Sequence, residues 1–177
     1  MLVVFVKPQH LLLEVPHPKL FVSGKSLLIG LLPSQSQKWM EIKLTVHFIG
    51  AGPGDPELIT LKGKKLLEKC SICFFAGSII PEEILSHCDP STKKINTAPL
   101  SLSQIIKKIE KLHNEGHEIA RLHSGDLSIW SAVNEQIREL IKLEIPFSMT
   151  PGVTSFSAAA SSLKQELTKP QIAQSIV

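Results

Sequence analysis

Three glycine-containing turns constrain this chain more than any other feature of its sequence. "GAGPGDP" (residues 50–56), "RLHSGDLS" (121–128) and "TPGVTSFSAAA" (150–160) each close a run that reads as a strand and open one that reads as a helix. The same alternation fills the space between them. "LTVHFIGAG" has the length and β-branched content of a buried strand, and "TLKGKKLLEKC" reads as a helix with Thr60 at its N-cap. "SICFFAG" is a second strand, "PEEILSHC" a short helix with Pro81 in its first turn, and "KKINTAPL" a short strand and loop. In "SLSQIIKKIEKLHNEG" the residues Ile105, Ile106, Ile109 and Leu112 recur on one helical face until Gly116 stops the helix. "HEIARLHSGD" and "IPFSMTPG" are further strands, with helices expected over "LSIWSAVNEQIRELIKLE" and "VTSFSAAASSLKQEL".

Strands alternating with helices specify an α/β fold: a parallel sheet with crossover helices, whose ligand-carrying loops follow the carboxyl ends of the strands. All three turns then lie along one edge of the sheet. That makes the edge a candidate ligand site, although a turn taken alone can also be purely structural.

The first turn fails the two common phosphate-cradle tests. Gly50 and Gly52 fit a dinucleotide fingerprint, but Asp55 stands where its third glycine belongs, and no lysine follows as in a P-loop. Pro53 also removes a backbone donor that a phosphate nest would use.

Charge and cysteine content exclude other classes. A formal net charge of +3, with Lys and Glu interspersed, gives no nucleic-acid footprint and fits at most an anionic small substrate. Cys70 and Cys73 form a single C-x-x-C pair; with Cys88 they make an odd count of three, so they read as buried free thiols rather than a zinc site. With no signal-peptide pattern ahead of them, a reduced, cytoplasmic setting is expected. No apolar run reaches the ~20 residues that span a bilayer. His113 and His117 have i, i+4 spacing, but Gly116 separates them, and a loop is expected there rather than a metal site. Trp130 and the phenylalanines are expected in the core, since no basic stripe accompanies them.

Residues 1–39 have scattered prolines and apolar patches without a sustained period, and are expected to be an extension outside the fold; Met40 reads as a natural start. "KPQIAQSIV" at the other end resembles a strand that begins after a proline.

In order and spacing, "FIGAGPGDPELITLKGKKLL", "RLHSGD" and "TPGVTSFSAAAS" resemble the three signature segments of the tetrapyrrole methylases, which transfer methyl groups from S-adenosylmethionine to corrin precursors. "FFAGSIIPEEILSHC" and "NTAPLSLSQII" are similar to the branch that methylates C11 of precorrin-4 in cobalamin biosynthesis. The resemblance implies two α/β domains, a homodimer, and S-adenosylmethionine held between the domains. Residues 44–166 would then be the N-terminal α/β domain and 167–177 the start of a second domain cut short.

Carried over motif by motif, it places Pro53, Ser124, Gly125, Asp126, Ile129, Thr154 and Ser155 around the cofactor, with Gly52 and Gly54 keeping the backbone small where ligands approach. Methyl transfer from a sulfonium needs positioning rather than a protein nucleophile, so no catalytic residue is assigned. The substrate is a polycarboxylate, for which Arg121 and His123 are candidate contacts; Lys62 reads as a solvated helix position. Ala76 and Gly77 stand where uroporphyrinogen methylases carry an acidic residue, which argues against that branch and leaves a general base unidentified.

Leu127 stands where the family usually has proline, which would loosen the second turn. Two other outcomes stay open: a fragment without catalytic activity, which would aggregate or dimerise through exposed apolar surface, and a methylase for another acceptor such as precorrin-3B.

Overall fold

The computed structural model describes residues 19–23, 26–30, 40–172 and 174–175, and divides the chain into two compact units, Met1–Ile42 and Lys43–Val177. In the first, strands β1 (Lys19–Ser23) and β2 (Ser26–Gly30) pair antiparallel, with Phe21 opposite Leu28. Their three-stranded sheet is completed by β3 (Met40–Lys43). The two apolar runs that form β1 and β2 are too short to show a period in the sequence.

The second unit is built on five parallel strands. These are β4 (Val46–Gly50), β5 (Ile72–Phe75), β6 (Lys93–Asn96), β7 (Ile119–His123) and β8 (Phe147–Thr150), in the order β6-β5-β7-β4-β8. Every residue of β4, β5 and β7 is buried, as parallel strands covered on both faces must be. β4 lies between β7 and β8, with Gly50 level with His123 and Ile49 level with Thr150. This register brings the carboxyl ends of β4, β7 and β8 to one height.

Helices cover both faces. α1 (Leu61–Lys69) and a 3-10 segment (Glu82–His87), the latter through Ile84, pack against Ile49, Cys73 and Leu122. α2 (Leu102–Asn114) and α3 (Val133–Lys142) pack against Phe48, Phe74, Ile119 and Val46. Adjacent residues such as Phe48 and Ile49 go to opposite layers because side chains alternate along a strand. Local chemistry sets the helix starts. Thr60 accepts from the Gly63 amide at 3.1 Å, and Ser101 and Gln104 form a reciprocal capping box. α4 (Ser155–Ser162) follows β8.

The sequence expectations differ from the structure at several points. Residues 82–87 wind as a 3-10 segment, with Pro81 just before it rather than within a first turn. α3 begins at Val133, not near Leu127, because Trp130 and Ala132 take left-handed backbone (φ 49° and 50°) that a helix does not continue through. Trp130 is fully exposed rather than in the core. His113 lies inside α2, buried, with its Nε2 3.0 Å from the Leu44 carbonyl. Residues 167–172 form bends, turns and an isolated bridge instead of a strand; residues 173, 176 and 177 of that expected strand lie outside the described residues. Among the described residues no helix is long and apolar enough to cross a membrane.

Candidate functional site

The three turns meet at the carboxyl edge and are tied to each other by backbone. The Ala51 amide donates to the His123 carbonyl at 2.7 Å, and Gly52 and Gly125 exchange two bonds, Gly52 N–H to Gly125 O at 3.2 Å and Gly125 N–H to Gly52 O at 2.8 Å. Gly52 (φ 78°) and Gly125 (φ 62°) both need left-handed backbone for this exchange. The third turn is inserted against the other two: a Cβ on Gly50 would lie 2.5 Å from the Gly152 amide nitrogen and 2.8 Å from the Gly125 carbonyl oxygen. Glycine is therefore required at positions 50 and 152 by the chain's own close approach.

Asp126 fastens the second turn to the third. Its Oδ1 accepts from the Ser128 amide at 2.9 Å and from the Ser128 hydroxyl, and its Oδ2 accepts from the Gly152 amide at 2.9 Å. Partial burial pushes the carboxyl pKa up, but the bonds from Ser128, Gly152 and Leu127 outweigh it and hold the group below its ordinary value. Leu127, expected to loosen this turn, instead buries its side chain in the core with Val133 and Leu140. The Ser131 hydroxyl donates to the Leu127 carbonyl, closing the turn from the other side.

Of the residues assigned from sequence, Pro53, Ser124 and Thr154 are half-buried and Ile129 and Ser155 exposed, all on the three turns or directly after them. The Thr154 hydroxyl lies 2.7 Å from that of Ser157 at the start of α4. Lys62 is exposed on α1.

Beside the turns, between the ends of β5 and β7, opens a cleft of about 150 Å³ lined by Ala76, Ile79, Arg121, His123, Trp130 and Gln136 among others. Arg121 is buried. Its Nε donates to Gln136 Oε1 at 3.1 Å, and its Nη1 to Thr97 Oγ1 at 3.1 Å and to the Leu122 carbonyl at 3.3 Å. Burial lowers the guanidinium pKa to about 10, which still leaves it charged at neutral pH. His123 stacks obliquely on Phe48 with ring centroids 5.9 Å apart. Burial and the Arg121 charge lower its pKa to about 4, so its imidazole is neutral.

Sequence reading missed Thr97, Gln136 and the exposed Trp130. A signal for Gln136 existed: it falls on the buried face of α3 between Val133 and Leu140, where a polar residue needs a partner.

Residues 45–177 match the family model for tetrapyrrole (corrin/porphyrin) methylases. The chain belongs to this family. Among tetrapyrrole methylases it is 55% identical over 134 residues to a precorrin-4 C(11)-methyltransferase of Sinorhizobium sp., covering 76% of this chain and 53% of that protein. The X-ray structure of a cobalamin biosynthetic enzyme, cobalt precorrin-4 methyltransferase, superposes with a TM-score of 0.73 at 34% identity, over 76% of this chain and 56% of the other. The uroporphyrin-III C-methyltransferase of Thermus thermophilus, crystallised with S-adenosylhomocysteine, superposes at 0.59 with 30% identity, over 74% and 53%. The chain thus spans about half the length of the relatives it matches. Its five parallel strands and covering helices are the tetrapyrrole methylase α/β domain.

Proposed function

We propose that this chain forms the N-terminal cofactor-binding part of an S-adenosylmethionine-dependent methyltransferase acting on C11 of precorrin-4 or its cobalt form, in cobalamin biosynthesis. The supporting observation is the 55% identity over 134 residues to a precorrin-4 C(11)-methyltransferase, in a chain whose three turns interlock at one sheet edge. Ala76 and Gly77, in place of an acidic residue, favour this branch over the uroporphyrinogen one.

The residues present fit the cofactor. S-adenosylmethionine supplies an activated methyl group on a sulfonium, and Asp126 is the one carboxylate among the seven residues assigned to it, held ionised by its donors. The rim adds the Ser124, Thr154 and Ser155 hydroxyls and the apolar Pro53 and Ile129. Gly125 supplies the left-handed backbone that joins the second turn to the first. The work of these residues is orientation: holding an acceptor carbon and a methyl donor in line supplies about 7–11 kcal/mol of a barrier without any protein nucleophile. The anionic tetrapyrrole would lie over the Ala76 side of the edge, near Arg121 and His123. In this reading the full-length protein is a cytoplasmic homodimer with no nucleic-acid or membrane partner.

Calorimetric titration of the 177-residue chain with S-adenosylmethionine tests the cofactor assignment. Saturable micromolar binding that Asp126→Asn and Thr154→Val weaken is expected. A folded chain without affinity would overturn the site as drawn. Mass-spectrometric detection of methyl transfer to precorrin-4, and not to uroporphyrinogen III, by the full-length protein tests the substrate.

A further inference from the structure

The cleft beside the turns holds two polar side chains that the fold buries and leaves incomplete. Arg121 is 6% exposed and His123 is 7% exposed. Every hydrogen-bond partner of Arg121 is a neutral oxygen, from Gln136, Thr97 and Leu122, and its Nη2 makes none of these bonds. No carboxylate lies within ion-pair distance of it among the described residues. Burying a charge without a counter-ion is costly, and proteins retain such an arrangement where something else supplies the opposite charge. The Nε2 of His123, in the same cleft, has no hydrogen-bond partner. As the imidazole is neutral, Arg121 is the cation of the cleft.

The rim carries a second anomaly. Trp130 is fully exposed and, with Ala132 two residues later, holds left-handed backbone that non-glycine residues rarely adopt. An indole fixed in water at the mouth of a cleft presents a flat face to whatever enters. The volume limits what that is. About 150 Å³ accommodates a side arm of a few heavy atoms, whereas a whole drug-sized ligand needs roughly 300 Å³ or more.

We propose that this cleft is a receptor for one carboxylate arm of a planar ligand: Arg121 pairs with the carboxylate, His123 Nε2 meets a second polar group of the ligand, and Trp130 packs on the flat ring that stays outside. Thr97 and Gln136 are positioning residues, holding the guanidinium fork with neutral oxygens so that its charge stays available. The identity of the ligand as the polycarboxylate macrocycle rests on the function proposed above; the cleft's preference for an anionic planar arm rests on its own geometry.

The test uses the 177-residue chain carrying Trp39→Phe, which leaves Trp130 as its single tryptophan. Uroporphyrin, a planar octacarboxylate, should quench Trp130 fluorescence saturably, and a tetracationic porphyrin with the same ring should not. Gln136→Glu gives Arg121 an internal counter-ion; it should keep or raise Tm and weaken uroporphyrin binding by roughly tenfold or more, since the ligand would then displace a charged partner. Arg121→Lys, which keeps the charge and loses the fork, should weaken it by a similar factor. Equal binding of both porphyrins, or unchanged uroporphyrin affinity in Gln136→Glu or Arg121→Lys, overturns the proposal. If a substituted chain unfolds, the two-porphyrin comparison on native Arg121 and Gln136 still decides. S-adenosylmethionine titration of the same samples separates the two readings. Cofactor binding without charge-selective porphyrin binding removes this inference alone, and loss of both in a folded chain removes the proposed function as well.

Discussion

Gly50 and Gly152 pack backbone against backbone: a Cβ on Gly50 would lie 2.5 Å from the Gly152 amide nitrogen, and one on Gly152 would lie 2.9 Å from the Gly50 Cα. The contact is main chain on both sides, so no rotamer change can relieve an added methyl. Gly152→Ala should therefore separate the third turn from the first and lower stability by about 1–3 kcal/mol or more, the range for overpacking a close-packed site. Gly116→Ala is the comparison. It has open space around it but a φ of 92°, so it carries backbone strain alone. Thermal unfolding should show both variants destabilised, with S-adenosylmethionine affinity lost only in Gly152→Ala. Retained affinity in Gly152→Ala would mean that the interlock does not shape the site.

Asp126→Asn removes the charge from bonds to Ser128 and Gly152 while keeping one acceptor oxygen. Charge-assisted bonds at a partly exposed site point to a loss of about 1–2 kcal/mol near neutral pH. The sign of the pH dependence follows from the lowered folded-state pKa. The stabilisation is present above the ordinary carboxyl pKa of about 4 and is lost as pH falls through the lower folded value. Denaturant midpoints of wild type and Asp126→Asn should differ at pH 7 and converge as pH falls through that lowered value. A constant gap across that range would rule out the carboxylate as its source.

Much of this architecture could be read before any coordinates. Strand and helix alternation, the Thr60 cap and the Ile105, Ile106, Ile109 and Leu112 stripe are local patterns, and each appears where expected. The convergence of the three turns was also legible, because parallel topology forces it. What the sequence concealed depends on tertiary approach. That Gly50 meets Gly152 is a contact across about a hundred residues, and glycine carries no side chain by which to announce it. Trp130 reads as core by composition, yet two left-handed residues turn it outward. The β1 and β2 pair lacks the length to express a period, and Leu127 reads as a missing proline although its side chain is a core anchor.

His123 gives the acid side of the stability curve a second component, opposite in chemistry to Asp126 and equal in sign. Burial and Arg121 hold its folded pKa at about 4, below the ordinary 6.5, so between those values the unfolded chain binds the extra proton. Stability should fall as pH drops from about 6.5 to 4, by on the order of 3 kcal/mol at most. His47, also lowered mainly by burial, adds in the same direction. His123→Gln should flatten part of this slope, and the His123 proton resonances should titrate near pH 4 rather than 6.5. A resonance titrating near 6.5 would show that the ring is reached by water.

The three free cysteines sit in one buried layer beneath α1, and the prediction for them concerns order of reaction. Thiols react as thiolates, so both exposure and pKa govern attack. Burial pushes Cys70 up to about 12, and the contact with Cys88, together with burial, pushes Cys73 further up. Cys88 differs: the bond from Cys73 pulls its pKa down, and at 7% exposure it lies nearest to solvent of the three. Alkylation of the folded chain with iodoacetamide, read by peptide mass spectrometry over time, should label Cys88 first, Cys70 more slowly and Cys73 only as the chain unfolds. Early labelling of Cys73 would mean that the layer beneath α1 opens locally without global unfolding, and that the site edge above it rests on a less rigid base than its packing implies.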